Sequence, residues 1–281
     1  MRWRGGRRSS NIDDRRGRTV KRAAGGGGIV LIGALILMLL GGDPSMLLDM
    51  LEGGGGPVIE QTGPVRRSAA EDEQADFVSV VLADTEDTWH ALFDRHGARY
   101  REPTLTLFTD QVQSPCGFNT AATGPFYCPG DQNVYLDLGF FRQLDTLGAP
   151  GDFARAYVIG HEIGHHVQNL TGVLSSVHEQ QVSGRGDANA LQVRVELQAD
   201  CYAGVWAHHA DRQRELLEEG DVEEGLQAAA AIGDDALQQR AGRAVRPESF
   251  THGSSAQRVE WFRRGLSQGE VAACDTFASV R

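Results

Sequence analysis

The pattern of apolar and polar positions divides the 281-residue chain into an apolar run, a polar connecting segment and a long mixed remainder. From Ala23 to Gly42 no residue is charged, and Ile29–Leu40 is continuously apolar. Because about 20 apolar helical residues cross a bilayer, residues 23–42 are predicted to form one transmembrane anchor. Residues 43–72, which contain the run EGGGGP, are predicted to be a flexible linker.

The remainder, residues 73–281, is predicted to be a single folded domain. Apolar residues recur at helical spacing across Phe77–His96, and Thr104–Thr109 alternates as a strand does. The segment FYC, the turn PGDQ and Asn133–Leu138 together predict an antiparallel hairpin, and nearly everything after Gly151 has a helical pattern. Strands followed by helices predict an α+β fold, mostly helical with a small antiparallel sheet.

The charge is distributed unevenly along the chain. Residues 1–22 hold nine Arg and Lys against two Asp, or +7, whereas the whole chain carries −11, which leaves −18 for the rest. A dense basic arm is typical of nucleic-acid binding or, directly before an apolar run, of a cytoplasmic N-terminus. Its position favours a basic cytoplasmic arm, a single-pass anchor and an extracytoplasmic domain in the cell membrane, without a nucleic-acid partner. A cleaved signal peptide is the alternative.

Four cysteines follow the apolar run. Export makes disulfide bonds the expected state. Cys116 and Cys128 bracket a short glycine-containing segment and are predicted to pair, which leaves Cys201 with Cys274. Three pairings are formally open for four cysteines. A structural zinc cluster is the alternative, but the chain has no Cys-x-x-Cys spacing to favour it.

The stretch VIGHEIGHHVQN contains two histidines at helical spacing. His161 and His165 lie four residues apart, so on a helix both imidazoles can bind one divalent ion. Glu162 follows the first histidine, where its carboxylate can take a proton from a water that the ion activates. His-Glu-x-x-His on a helix therefore indicates a metallopeptidase. The alternative, a packed helix with surface histidines, accounts for His166 but not for Glu162.

A catalytic zinc needs a third protein ligand, and a later helical stretch offers one. Glu196 and Asp200 are four residues apart among apolar neighbours. We expect Glu196 to bind the ion and Asp200 to orient one imidazole, with Asn169 orienting the other. An ordinary solvated acidic face is the alternative, but carboxylates in an apolar setting usually have a partner. The prediction is one catalytic Zn²⁺ with one coordination position left open.

These motifs resemble known peptidases. HEIGH followed by ELQAD resembles the glutamate-zincins, whose pattern is His-Glu-x-x-His and then Glu-x-x-x-Asp. Residues 251–262, THGSSAQRVEWF, are similar to a stretch of the HtpX-type membrane zinc peptidases, with Gly253 where that family has proline. This resemblance implies that His252 stabilises the oxyanion of the tetrahedral intermediate and that Arg258 supports the site.

Longer segments, including GPFYCPGDQNVYLDLGFF and ELQADCYAGVWAH, resemble the YpfJ-like bacterial family of neutral zinc metallopeptidases from about Glu73 to the C-terminus. The resemblance implies a zincin-like domain, in which an edge strand beside the metal helix accepts the substrate as an added strand. The implied substrate strand comprises Asn133, Val134, Tyr135 and Leu136. A purely structural hairpin is the alternative. Residues 172–190 are expected to be a mobile flap or a variable loop.

The leading hypothesis is a hydrolase: a membrane-anchored, extracytoplasmic zinc endopeptidase that acts on peptide or protein substrates with Glu162 as general base. One alternative is a zinc-stabilised binding module of the cell envelope whose site is not used for catalysis. Glu162 argues against it, because a purely structural zinc needs no neighbouring base. The other alternative, a zinc hydrolase of a non-peptide amide, would use the same residues. The sequence carries no signal for an oligomeric state.

Overall fold

A computed structural model of the chain describes residues 1–17 and 68–278. In these two ranges the chain forms eight α-helices and six strands. The predicted anchor at residues 23–42 and most of the predicted linker lie outside the described residues. None of the helices within the described ranges is long and apolar enough to span a bilayer. The predicted α+β class, mostly helical with small sheets, is confirmed.

The first 17 residues are part of the domain and do not form a separate arm. Their strand β1 (Ile12–Asp14) pairs in parallel with β2 (Thr104–Phe108), with Ile12 opposite Leu105. Trp3 is only 9% exposed and packs edge-to-face on Phe77, with ring centroids 5.4 Å apart. The arm therefore contributes both a strand and a core side chain.

The basic residues of this arm bind acidic residues of helix α1 (Ala69–Arg95). Arg8 contacts Asp76 at 2.6 Å, and Arg7 contacts the buried carboxylate of Glu86 at 2.8 Å. Among the described residues, some of the charges that suggested a topology signal are thus paired with acidic residues of the domain. Because β1 is hydrogen-bonded to β2, residues 1–17 belong to the same folded unit as the domain.

Helix α1 confirms the helix predicted over Phe77–His96 but begins earlier. Ser68 caps its N-terminus in a capping box with Glu71: each side chain binds the other residue's backbone N–H. Because of this capping box the helix begins at Ala69, before the stretch in which apolar residues recur at helical spacing. The helix ends at Arg95, and Gly97 follows its C-cap His96 with a φ of +67°, in the left-handed region that glycine adopts without strain.

The main sheet has the strand order β1-β2-β6-β5, where β5 is Phe126–Cys128 and β6 is Asn133–Asp137. The predicted antiparallel hairpin of β5 and β6 is confirmed, but β6 runs parallel to β2. The sheet is therefore mixed, and the prediction of an antiparallel sheet was wrong. A separate hairpin of β3 (Gln111–Ser114) and β4 (Gly117–Thr120) lies between β2 and β5 in the chain.

Strand order also corrects the predicted substrate strand. All residues of β6 are buried, β2 pairs with it along its whole length, and β5 pairs with Asn133–Tyr135 on its other edge. Both edges are therefore occupied over most of the predicted set Asn133, Val134, Tyr135 and Leu136, which does not lie at an edge of the sheet. Alternation of apolar residues identifies strands but does not say which of them lies at the edge. The edge positions belong to β1 and β5.

Both predicted disulfide bonds are present: Cys116 pairs with Cys128 and Cys201 with Cys274. The first joins the turn after β3 to the end of the edge strand β5. The second joins the middle of a long helix to the short 3-10 helix Val271–Cys274.

The remaining helices follow β6. They are α2 (Gly139–Thr146), α3 (Asp152–Leu170), α4 (Val173–Val182), α5 (Ala188–Arg214), α6 (Asp221–Ala231), α7 (Asp234–Arg240) and α8 (Ser255–Gln268). Helix α5 lies at the centre and packs against both α3 and α8.

Glycines set the distances between these helices. A Cβ on Gly164 of α3 would lie 2.9 Å from the Ala199 carbonyl oxygen of α5, and one on Gly160 would lie 2.8 Å from the Trp206 ring. Both distances are shorter than van der Waals contact. Two glycines in a helix interior cost about 1 kcal/mol each, so their presence is explained by the close approach of α3 to α5.

The packing of residues 1–17 on the domain can be tested by mutation. Replacing Trp3 by Ala in the full chain should lower the free energy of unfolding by about 3 kcal/mol, because a buried indole leaves a cavity. Arg2→Ala is the control, since Arg2 is 58% exposed and should matter little. Urea denaturation followed by circular dichroism measures both. Equal stability of the two variants would contradict the packing of the arm.

Candidate metal centre

Two helices bring three ligand side chains together. One nitrogen each from His161 and His165 of α3 and one carboxylate oxygen of Glu196 of α5 lie within 4.8 Å of one another. Glu196 Oε2 is 3.2 Å from His161 Nε2 and 3.5 Å from His165 Nε2. Bonds of ~2.0–2.1 Å at a tetrahedral angle separate two ligand atoms by about 3.3 Å. The residues present therefore fit one zinc ion without rearrangement.

The charges in this cluster are consistent with a metal site. Burial raises the pKa of Glu196, but the imidazoles of His165 and His161 outweigh it and hold that pKa well below its usual range. The other oxygen of Glu196, Oε1, accepts a hydrogen bond from Gln192 at 3.0 Å. Gln192 therefore helps to orient the carboxylate, a role the sequence did not indicate.

Asp200 orients His161. The Nδ1–H of His161 donates to Asp200 Oδ1 at 2.8 Å, which leaves Nε2 free to face Glu196. Asp200 is fully buried and also accepts both a hydrogen bond from the Tyr157 hydroxyl and two from the Arg258 guanidinium at 2.8 Å. Burial raises the Asp200 pKa, but Arg258 and His161 outweigh it and lower that pKa to about 2. Asp200 is thus ionised, and Arg258 lies where the resemblance implied.

Gln168 orients His165. The Nδ1–H of His165 donates to Gln168 Oε1 at 2.9 Å, and Gln168 Nε2 donates to the Val195 carbonyl and to Gln198 Oε1. Gln198 in turn donates to the carbonyl of Cys274 at 3.0 Å. A chain of amide hydrogen bonds therefore runs from the second histidine through α5 to the Cys201–Cys274 disulfide.

Asn169 is not placed beside either ligand histidine. Its Nδ2 donates to the Tyr127 hydroxyl at 2.9 Å, and that hydroxyl donates to His166 Nδ1 at 3.0 Å. His166 Nε2–H donates to the Arg101 carbonyl at 2.6 Å. His166 is buried rather than a surface residue, and burial lowers its pKa to about 4. These contacts fasten the edge strand β5 to the metal helix α3.

The prediction for Asn169 failed because helical spacing does not discriminate between the two amides. Gln168 and Asn169 follow His165 by three and four residues, and both spacings bring side chains together on a helix. Only the packing of α5, which offers Val195 and Gln198 as further partners, selects Gln168.

Glu162 is buried at 7% exposure and lines the same cleft as the ligand residues. Burial raises the pKa of its carboxyl group against the opposing effect of His161 and His165. A carboxylate with a raised pKa is a better proton acceptor near neutral pH than an exposed one. Glu162 therefore has the position and the chemistry of a general base.

His252 also lines the cleft, with its side chain half exposed. Its Nδ1 lies 3.2 Å from Asp234 Oδ1, and Asp234 Oδ2 accepts the backbone N–H groups of Thr251, His252 and Gly253. Gly253 has φ +94° and donates one of these bonds. A proline cannot adopt this positive φ and has no N–H to donate, which explains the glycine at this position.

Asp234 escaped the sequence analysis because an acidic residue in the first turn of a helix is ordinary. It lies 18 residues before His252, and no spacing pattern links the two. Only the fold shows that its carboxylate holds the loop that carries the histidine.

The cleft around the metal centre has a volume of about 660 Å³. Its walls come from the edge strand β5, from α2 and α3, from α4 and from α7. The segment expected to be a flap or a loop forms helix α4 over much of its length. Leu174 and Val177 of α4 face the cleft, so this segment is one of its walls.

A second acidic cluster lies at the other end of α3. Carboxylate oxygens of Asp152, Asp221 and Glu224 are within 4.8 Å of one another. The Met1 ammonium group binds there, 2.9 Å from Asp152 and 3.2 Å from Asp221. A cation of the protein itself therefore balances this cluster.

A His-Glu-x-x-His helix, with a glutamate from a second helix facing both histidines, forms a group of side chains that could hold a metal ion. The family described as "Putative neutral zinc metallopeptidase" matches residues 1–277, and the chain belongs to this family. The match begins at residue 1, within the segment that packs on the domain.

Two relatives illustrate the family. The chain is 50% identical over 223 residues to the uncharacterized protein YpfJ of Escherichia coli (strain K12). The aligned region covers 79% of this chain and 77% of the relative. It is 44% identical over 192 residues to the uncharacterized protein Rv2575 of Mycobacterium tuberculosis (strain ATCC 25618 / H37Rv), which covers 64% of each. No solved structure matches the chain.

The two neighbouring amides give a matched test. Gln168→Met should weaken zinc binding about 10- to 100-fold, because it removes the partner that orients His165. Asn169→Ala should leave zinc affinity within about twofold of wild type, since Asn169 contacts Tyr127 instead. Chelator competition measures the affinity, and thermal unfolding of the zinc-free proteins controls for folding. A larger loss of zinc affinity in Asn169→Ala than in Gln168→Met would refute the assignment of Gln168 as the partner of His165.

Zinc affinity should also depend on pH. Burial lowers the pKa of His161, but Asp200 and Glu196 outweigh it and raise that pKa to about 9. At pH 6–8 the imidazole therefore carries a proton that must leave before zinc binds. The affinity for zinc should rise about tenfold or more per pH unit in this range. Binding of each zinc ion should release about one proton or more. Calorimetry in buffers of different ionisation enthalpy counts them, and pH-independent binding would contradict the prediction.

Proposed function

We propose that the protein is a zinc-dependent endopeptidase that hydrolyses peptide bonds of peptide or protein substrates. One observation carries this proposal: His161, His165 and Glu196 converge within 4.8 Å in a cleft that also contains the buried Glu162. Membership in a family described as zinc metallopeptidases supports it.

The chain supplies the groups that such a reaction needs. Zinc held by His161, His165 and Glu196 would act as a Lewis acid and lower the pKa of water to ~7. Glu162 takes the proton of the attacking water and passes it to the leaving amine. His252 lines the cleft with its Nδ1 beside the carboxylate of Asp234, and its imidazolium form, which has an N–H at both ring nitrogens, would donate from Nε2 to the oxyanion as charge develops.

We propose that β5, not β6, receives the substrate. It is one of the two edge strands of the main sheet in the described residues, and its residues Phe126 and Tyr127 line the cleft, whereas no residue of the other edge strand, β1, does. The hydrogen bonds of Tyr127 to His166 and Asn169 hold this strand against α3. An extended peptide added to β5 would therefore run past the metal ligands at a fixed distance.

The shape of the cleft favours cleavage within a chain. It includes Val158, which lies one turn before His161 on α3, and Leu174, which follows the end of that helix. The cleft therefore extends from the metal ligands in both directions along α3. A substrate can continue on both sides of the scissile bond, as an endopeptidase requires.

We further propose that the domain works outside the cytoplasm. Its two disulfide bonds support an oxidising compartment. Attachment to the membrane through residues 23–42 stays a prediction. The proposal does not extend to a cytoplasmic arm, because residues 1–17 pack on the domain.

The two alternatives predict different behaviour. A binding module that holds zinc without catalysis has no use for a buried carboxylic acid beside the ion, and burying such a group is costly. Glu162 therefore favours an enzyme. A hydrolase of a non-peptide amide would use the same residues, and only its substrate distinguishes it.

The test is Glu162→Gln. This variant should bind one zinc per chain but hydrolyse casein at least about 1,000-fold more slowly than the wild type, because the amide cannot accept a proton. Glu260→Gln is the matched control, since Glu260 is exposed on α8 and should leave activity unchanged. Metal analysis and a fluorescent casein assay measure both properties.

Equal rates for Glu162→Gln and wild type would refute the mechanism. A zinc-loaded wild type that cleaves neither casein nor a peptide library would refute the peptidase proposal and favour the binding module. Hydrolysis confined to non-peptide amides would establish the third hypothesis.

A further inference from the structure

Part of the cleft lining consists of apolar side chains from four helical elements. We call this the apolar subsite, and it comprises Phe140, Leu147, Val158, Ile232 and Leu237. Val158 belongs to α3 and is buried, Phe140, Leu147 and Ile232 are partly buried, and Leu237 of α7 is 38% exposed.

Hydrogen bonds hold the elements of the apolar subsite together. Arg240 of α7 donates to the carbonyl oxygens of Leu147 at 2.7 Å and of Ala231 at 2.5 Å, which joins α7 to the ends of α2 and α6. Arg258 donates to the carbonyl of Ile232 at 3.2 Å and also binds Asp200. The subsite is therefore fastened to the network that orients the metal ligand His161.

The subsite also adjoins the edge strand. A Cβ on Gly124 would lie 3.5 Å from the Phe140 ring, and Gly124 lies two residues before the first residue of β5. A peptide lying along β5 would thus pass the apolar subsite beside the metal ligands.

The charge of the cleft differs from that of the domain. Among its described lining residues, the only Asp, Glu, Lys or Arg side chains are Glu162, Glu196 and Arg258. Glu196 faces the ligand histidines, and Arg258 is paired with Asp200. Although the chain carries a net charge of −11, its cleft therefore offers no free charge to a substrate side chain beyond the catalytic groups.

We propose that the apolar subsite binds an uncharged apolar side chain next to the scissile bond, so that the substrates are apolar peptide segments rather than basic or acidic ones. This inference rests on the proposed function for its hydrolytic step. A charged substrate side chain would lose its hydration in the subsite without gaining a partner. The exposed face of Leu237 is the surface that the substrate would cover.

Cleavage of a random peptide library tests the preference. Mass spectrometry of the products should show Leu, Ile, Val, Met or Phe at one position beside the scissile bond. In matched synthetic peptides, Asp, Glu, Lys or Arg at that position should lower kcat/KM at least about tenfold, the scale on which apolar pockets discriminate. Cleavage without such a preference would overturn the inference.

A pair of surface variants locates the preference. Leu237→Glu should lower kcat/KM for apolar substrates about tenfold or more and should shift the preference toward Lys and Arg. Val245→Glu is the matched control: Val245 is 39% exposed, like Leu237, but does not line the cleft. Equal effects of the two variants would overturn the assignment to this subsite. Circular dichroism of both variants confirms that they fold.

A binding measurement separates this inference from the proposed function. Labelled peptides with an apolar or a charged residue at the selected position are titrated into the zinc-loaded Glu162→Gln protein. Tighter binding of the apolar peptides, lost in the double variant with Leu237→Glu, supports the subsite even if the wild type hydrolyses nothing. Equal binding of all peptides would overturn it even if the wild type is an active peptidase.

Discussion

The metal centre depends on the close contact between α3 and α5. Gly164 lies against the backbone at Ala199, and Gly160 lies against the Trp206 ring. A side chain at either glycine would force the helices apart, whereas zinc ligands must be placed to within about 0.2 Å. The helix spacing, and with it the meeting of His161 with Glu196, is therefore set by the absence of two side chains.

The polar groups that orient the two ligand histidines are themselves held by further partners. Asp200 binds His161 and is bound by Arg258, while Gln168 binds His165 and is bound by α5. Buried ion pairs add little net stability, but removing one partner is costly. The network therefore specifies the geometry of the site more than it stabilises the domain, and it leaves each Nε2 directed at Glu196.

Local patterns predicted the parts of the structure that local chemistry determines. The metal motif, the partner Glu196, both disulfides and the β5–β6 hairpin follow from residue types and short spacings. Strand order, the folding of residues 1–17 onto the domain and the role of Asp234 depend on contacts between distant segments, which no periodicity encodes. No local pattern indicates the partners of Arg7 and Arg8, because these acids of α1 lie more than 50 residues away.

The central claim is that two imidazole nitrogens and one carboxylate oxygen hold a single ion with an open position. Zinc K-edge X-ray absorption of the zinc-loaded protein tests it most directly. Metal analysis should find one zinc per chain, and the spectrum should show a four-coordinate first shell of nitrogen and oxygen at about 2.0–2.2 Å with the scattering of two imidazoles. In the Glu196→Gln variant, the number or the distances of the atoms that coordinate zinc should change. A sulfur ligand, a shell without imidazole, or a spectrum unaffected by Glu196→Gln would contradict the account.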